Sequence, residues 1–142
     1  MKILIITQKI DRNDSVLGFF CGWVEEFSKH CEQVTVIALG VGVHNLPKNV
    51  RVFSLGKERG VSRVGYLYNF YRLIWRERKN YGVVFVHMNP EYIILGGILW
   101  KILRKKIALL YTHKLVSWYL CVAEKLSNSI FTASKESFRL SS

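Results

Sequence analysis

A chain of 142 residues, half of them apolar and 22% charged, carries enough apolar side chains to bury one sizeable core, which excludes a disordered chain. Its 21 Lys and Arg against 10 Asp and Glu leave a net charge of +11, a balance that calls for an anionic partner: nucleic acid, a phosphorylated substrate or an acidic membrane. The three cysteines, Cys21, Cys31 and Cys121, an odd number without CxxC spacing, sit among apolar residues, which favours reduced core thiols in a cytoplasmic setting over disulfides or a metal site.

The chain opens on an apolar run, Lys2-Ile3-Leu4-Ile5-Ile6-Thr7, predicted as a buried first strand. That run is too short for a secretory signal, and no A-x-A-like cleavage site follows it. Asp11, Asn13 and Asp14 are turn formers, and Asp14 or Ser15 suits the cap of a helix over residues 16–30. Phe20, Trp23, Val24 and Phe27 give that helix its apolar face. A second strand is predicted over 34–39, and 50–55 alternates like an edge strand. A charged loop over 56–60 leads into a long aromatic-rich helix over 62–80.

Val83-Val84-Phe85-Val86-His87 reads as a fourth strand buried on both faces, with Met88-Asn89-Pro90 closing it. A helix over 91–104, a strand over 107–111 and a helix over 115–126 follow. The apolar stretch 92–100 is far below the roughly 18–20 residues of a spanning helix. A sixth strand is expected over 129–133, and Ser134 begins a helix of which one turn remains. Strands separated by helical crossovers specify a Rossmann-like, doubly wound, mainly parallel α/β sheet of about six strands with helices on both faces. A helix cut short at Ser142 implies either a further half or a second chain that completes the fold.

The first strand is followed by no G-x-G-x-x-G, and no Walker A sequence occurs, so dinucleotide and P-loop chemistry are not expected. His87 and His113 each end a predicted buried strand. Parallel neighbours lie about 4.8 Å apart, so two such residues can share one rim, with Asn89, Thr112 and Ser134 close by. Imidazoles there suit hydrogen bonds to phosphate or sugar hydroxyls, or proton transfer. Each also fits a plainer role, as a histidine bonded to a loop carbonyl. No carboxylate accompanies them, which weighs against a hydrolase or a metal centre.

The basic residues form stripes. Arg72, Arg76 and Lys79 share a helical face flanked by Tyr68 and Trp75, while Lys101 and Lys105, and Trp100 and Arg104, lie one turn apart. Such stripes suit an interfacial helix on acidic lipid headgroups or a solvated face with snorkelling side chains. No recognition helix or aromatic RNP-like strand supports nucleic acid as the partner.

The segments 2–7, Gly18 with Trp23-Val24-Glu25, Val86-His87-Met88-Asn89, Tyr111-Thr112-His113-Lys114 and Ile130-Phe131-Thr132-Ala133-Ser134 together resemble the N-terminal domain of family 4 glycosyltransferases of GT-B architecture. The resemblance spans nearly the whole chain. It implies that residues 1–142 are the acceptor-side half of a two-domain enzyme and that the C-terminal half binding the nucleotide sugar lies outside them. It implies a retaining sugar transfer to a glycan or lipid-linked acceptor, as in polysaccharide biosynthesis, at the cytoplasmic face of a membrane, with no cofactor and no metal. It places Gly18, Asn89, Thr112, His113 and Ser134 along the acceptor side of the cleft and makes His87 the candidate catalytic residue. The family's E-x7-E pair is absent, Glu25 and Glu32 being one residue short of that spacing. The chain alone is therefore expected to be inactive. Two other readings stand beside this one: a non-catalytic binding or scaffold domain acting with a partner protein, and a bare mononucleotide-binding domain.

Overall fold

A computed structural model describes residues 1–13, 18, 20–87, 90–110, 122–123 and 125–131, the last three as backbone alone. Six strands form one sheet in the order β3-β2-β1-β4-β5-β6, and every pairing is parallel. They are β1 (Lys2–Ile10), β2 (Gln33–Val41), β3 (Val50–Ser54), β4 (Val83–His87), β5 (Lys106–Leu110) and β6 (Ser129–Phe131). Among the described residues, α1 (Phe20–His30), α2 (Arg63–Arg76) and α3 (Glu91–Ile102) connect the first five strands, the β2–β3 link aside. This is the expected doubly wound sheet. The described part of the 115–126 helix is helical, and the cap at Asp14 or Ser15, the end of the sixth strand and the helix at Ser134 lie outside the described residues.

Alternation along the central strands divides the core in two. Ile3 and Ile5 point to the face covered by Phe20, Cys21 and Val24 of α1, whereas Leu4 and Ile6 point to the face covered by Phe70, Leu73 and Ile74 of α2 and by Ile93 and Trp100 of α3. Each fully buried large side chain contributes about 1.5–3 kcal/mol of transfer free energy, so both helical layers are needed to hold β1 and β4 dry.

The first strand runs three residues past its expected end at Thr7. Gln8 and Lys9 look like loop residues, yet Lys9 and Ile10 continue the ladder opposite Gly40 and Val41. The pairing with β4 covers Ile3 to Ile6, so β1 and β2 overhang it at the carboxyl end. The β2–β3 crossover has no helix. Residues 42–49 return across the α1 face, where Leu46 packs and the Asn49 amide donates to the carbonyls of Ser28 at 2.9 Å and Cys31 at 3.2 Å.

The long helix over 62–80 is shorter than its pattern. Ser62 caps it by accepting from the Gly65 amide at 3.2 Å, and it ends at Arg76 before a single 3-10 turn, Arg78–Asn80. The carbonyls freed at its end are taken by side chains: Tyr81 Oη donates to Ile74 O at 2.9 Å and Arg78 to Trp75 O at 2.8 Å. The indole of Trp100 donates to Tyr81 Oη at 3.1 Å, and Lys105 Nζ donates to the carbonyls of Arg78 and Tyr81. Trp100 is thereby a core residue, 0% exposed, and not the surface residue that its place beside Arg104 suggested. Lys105 is likewise withdrawn from its stripe, and burial pushes its ammonium pKa down.

Tyr81 thus links α2, α3 and the start of β4 through one hydroxyl. Tyr81→Phe leaves Ile74 O and Trp100 Nε1 without that partner. We expect a loss of about 1–3 kcal/mol in urea unfolding; a loss below about 0.5 kcal/mol would show that the hydroxyl is not a structural link.

Candidate functional site at the carboxyl rim of the sheet

The chain leaves β1 through α1 towards β2 and leaves β4 through α3 towards β5, so β1 and β4 flank the topological switch point of the sheet. In open α/β sheets the crevice beyond the carboxyl ends of such strands receives ligands. His87 is the last residue of β4, and the β1–β4 register that pairs Ile6 with Val86 brings Thr7 opposite it on the α1 face. Thr7 Oγ1 and His87 Nδ1 are 3.0 Å apart. Phe20, the first residue of α1, stacks on the imidazole at 4.1 Å between ring centres with 14° between planes. Trp23, one turn along, stands at 6.1 Å.

His87 is 3% exposed, and that burial holds its pKa down at about 4. The ring is therefore neutral at physiological pH, with one nitrogen a donor and the other an acceptor. Thr7 is fully buried as well. A neutral imidazole fixed by a hydroxyl and an aromatic face is a positioned hydrogen-bonding group or a weak base.

Gly18 precedes this clamp by two residues, and its carbonyl accepts from the Cys21 amide at 3.3 Å in the first turn of α1. Asn89, Thr112, His113 and Ser134 lie outside the described residues.

On the other face of the sheet the same rim holds a crevice that the sequence reading missed. Its volume is about 610 Å3. Gln8 and Leu39 come from the carboxyl ends of β1 and β2, and Leu55 follows β3; Arg63 and Tyr66 come from α2, and Glu91, Tyr92 and Leu95 from α3. Burial, with Glu91 and Tyr66 adding to it, pushes the Tyr92 phenol up to about 12, so it too stays neutral. The pocket joins an apolar floor to a guanidinium, a carboxylate and an amide, a set that both donates and accepts hydrogen bonds. The signal for it in the sequence is positional. Glu91 opens the helix that follows β4, and Arg63 opens the helix that follows β3 after the 3-10 turn Lys57–Arg59. A further cavity, of about 540 Å3, follows α1 from Trp23 to Met1, His30 and Cys31, towards the amino end of β1.

The basic stripes are partly reorganised. Arg72, Trp75, Lys79, Lys101 and Arg104 are exposed. Arg76 is also exposed but lies 3.5 Å from Glu77, a buried carboxylate that Arg51 meets at 2.7 Å, and both guanidiniums sit over the ring of Phe53. Among the described residues, no three His, Cys, Asp or Glu side chains gather as a metal site, and no helix is long and apolar enough to cross a membrane.

No family model matches the sequence, and no curated protein matches it. Solved structures do. UDP-GlcNAc 2-epimerase from Methanocaldococcus jannaschii superposes with a TM-score of 0.54 at 12% identity, over 95% of this chain and 40% of that one. MurG from Acinetobacter baumannii superposes with a TM-score of 0.57 at 10% identity, over 97% of this chain and 43% of that one. The chain thus spans about two fifths of the length of these neighbours. At such identities the likeness is one of fold alone: a Rossmann-like α/β half domain of GT-B type.

The depressed pKa of His87 has a consequence for stability. The ring binds a proton less readily in the folded chain, about 4, than in the unfolded chain, about 6.5. Its contribution is therefore complete above pH 6.5 and is lost as pH falls through 4, on the order of 3 kcal/mol in all. Thermal melts of the wild type and His87→Gln, compared between pH 7 and pH 4.5, should show a smaller acid-induced fall in Tm for the variant. Equal falls would mean that His87 is solvated when folded.

Proposed function

We propose that this chain is the acceptor-binding half of a family 4-like, retaining glycosyltransferase, with a nucleotide-sugar-binding half as the opposite wall of its cleft. The observation that carries this reading is the neutral, clamped imidazole of His87 at the switch point of a GT-B-type sheet. In the reaction an acceptor hydroxyl forms a bond to the anomeric carbon of the donor sugar. The bond from that carbon to the nucleotide diphosphate breaks, and the hydroxyl proton leaves with the departing phosphate.

The ring of His87 is oriented by Thr7 at Nδ1, and we assign His87 to a hydroxyl of the transferred sugar. Hydrogen bonds of that kind position a reactant and contribute through orientation. The crevice at Gln8, Arg63 and Glu91 is assigned to the acceptor, a glycan or the glycan head of a lipid-linked molecule. Its mixed donors and acceptors suit hydroxyl groups, and Tyr66 and Tyr92 supply faces for a sugar ring. No metal or cofactor enters the scheme.

One observation favours a competing reading, a non-catalytic binding or scaffold domain. His87 is almost fully buried, and Thr7 and Phe20 engage its ring as they would a core histidine.

Assays of sugar release and transfer separate the two. The chain alone, supplied with nucleotide sugar and acceptor, should show no turnover. Supplied with a nucleotide-sugar-binding half in cis or in trans, it should transfer sugar, and His87→Ala should lower kcat by more than about tenfold. His87→Phe keeps an aromatic ring under Phe20 but leaves the Thr7 hydroxyl without the imidazole; it should show the same loss of turnover with a Tm lowered by only a few degrees, still folded at the assay temperature. Unchanged kinetics in both variants would leave His87 a packing residue, and transfer by the chain alone would overturn the assignment of halves.

A further inference from the structure

The amino rim of the sheet holds a pocket of about 340 Å3 that takes no part in the proposed reaction. Strand register assembles it. Lys2 opens β1 opposite Gln33, which opens β2, and alternation turns both side chains to the α2 face that Leu4 also joins. Arg51 of β3 pairs with Thr35 and lies on the same face. Glu32, just before β2, and Lys48 and Asn49, just before β3, complete the lining. Val83 starts β4 level with Ile3, so roughly 16 Å of strand separate the level of Lys2 from His87.

Charge in this pocket is unbalanced. Three cations stand against one carboxylate, Glu32, and neither Lys2 nor Lys48 forms an ion pair with a described residue. Glu77, the carboxylate beside Arg51, does not offset them, because it is buried between Arg51 at 2.7 Å and Arg76 at 3.5 Å. Arg51 meets it through Nη1, which leaves further N–H groups of the guanidinium to donate elsewhere. The helix ends at this rim have cations of their own, Lys29 and His30 on α1 and Arg76 on α2.

Hydrogen-bond acceptors line the pocket as well. The Asn49 amide donates to the carbonyls of Ser28 and Cys31, so what it offers a further partner is its carbonyl oxygen. The Glu32 carboxylate accepts, and the Gln33 amide both donates and accepts. Two residues along β2 from Gln33, on the same face, Thr35 is fully buried and its hydroxyl has no partner among the described residues. This end of the sheet therefore holds unpaired charge and an unmet hydrogen bond together.

We propose that the amino-rim pocket binds a small phosphorylated polyol of the sugar monophosphate class, with Lys2, Lys48 and Arg51 on the phosphate and Glu32, Gln33 and Asn49 on the hydroxyls. Ammonium and guanidinium groups hold phosphate through charge-assisted hydrogen bonds. A bare anion leaves the acceptors unmatched, and a neutral sugar leaves the lysines unmatched. The volume stands at the small end of ligand pockets, about 300–1,000 Å3, which suits one ring with one phosphate. The site lies at the opposite rim from His87, so the inference stands whether or not the chain takes part in sugar transfer.

Calorimetric titration of the chain with glucose 6-phosphate, inorganic phosphate and glucose tests it. Glucose 6-phosphate should bind, inorganic phosphate should bind about tenfold or more weakly, and glucose should not bind measurably. Lys2→Gln/Lys48→Gln should weaken glucose 6-phosphate binding by about tenfold or more at unchanged Tm, since neither lysine has an ion pair to lose. Arg63→Gln, in the crevice at the carboxyl rim, should leave that binding as it is. Amide NMR reads the site without any substitution: glucose 6-phosphate should shift Lys2, Gln33, Asn49 and Arg51 and leave Gln8, Arg63 and Glu91 in place. No binding, binding that survives loss of both lysines, or shifts confined to Gln8, Arg63 and Glu91 would overturn the proposal. So would inorganic phosphate binding as tightly as glucose 6-phosphate, since the pocket would then be a bare anion patch.

Discussion

The pairing of β1 with β4 is the constraint on which the rest of the molecule depends. Four register pairs, from Ile3–Val83 to Ile6–Val86, join two strands whose connections leave in opposite directions. Beyond those pairs β1 continues beside β2, and the sheet opens at its carboxyl edge. Thr7 and His87 sit at that opening. Their contact pairs two buried polar groups, and a buried polar group left unsatisfied costs about 1–3 kcal/mol. Phe20 then closes over the ring as α1 begins. Strand register, helix placement and the protonation state of one histidine are therefore settled at the same point.

The opposite face is organised by close approach. Trp100 folds its indole back over Gly96, where a Cβ would stand 2.8 Å from the ring, and Gly97 faces Leu126, where a Cβ would stand 2.9 Å from a methyl group. Without side chains at these two positions, α3 admits a large aromatic on one side and the following helix on the other. The resulting core joins Trp100, Tyr81 and the end of α2 in a chain of hydrogen bonds. Among the described residues, Val64, Tyr68, Ile98 and Ile102 remain exposed on α2 and α3.

Much of this fold was legible in the chain because buried parallel strands are written as apolar runs. The limits of β4 coincide with Val83-Val84-Phe85-Val86-His87, and β3 is the edge strand that its alternation implies. The end of β1 was not legible, since Gln8 and Lys9 are polar and what extends the strand is the length of its partner β2. Trp100 shows a different limit. Helical spacing told which residues share a face of α3 but not which face meets the core, because the helix is apolar nearly all the way round. Lys105 was misplaced for another reason: α3 ends at Ile102, so Lys105 lies past the helix and turns to the carbonyls of Arg78 and Tyr81. Of the candidate site, His87 was found from its place at a strand end, while the crevice was hidden because it lies between three strand ends and two helices distant in sequence.

The account rests on His87 as a buried, neutral ring at the switch point, and the direct measurement is the pH titration of its ring resonances by NMR in the isolated chain. Burial of the ring predicts a neutral imidazole throughout the range from pH 8 to pH 5, with protonation setting in near pH 4. Titration at about 6.5, the value of a solvated histidine, would contradict the clamp formed by Thr7 and Phe20 and the reading of the rim built on it.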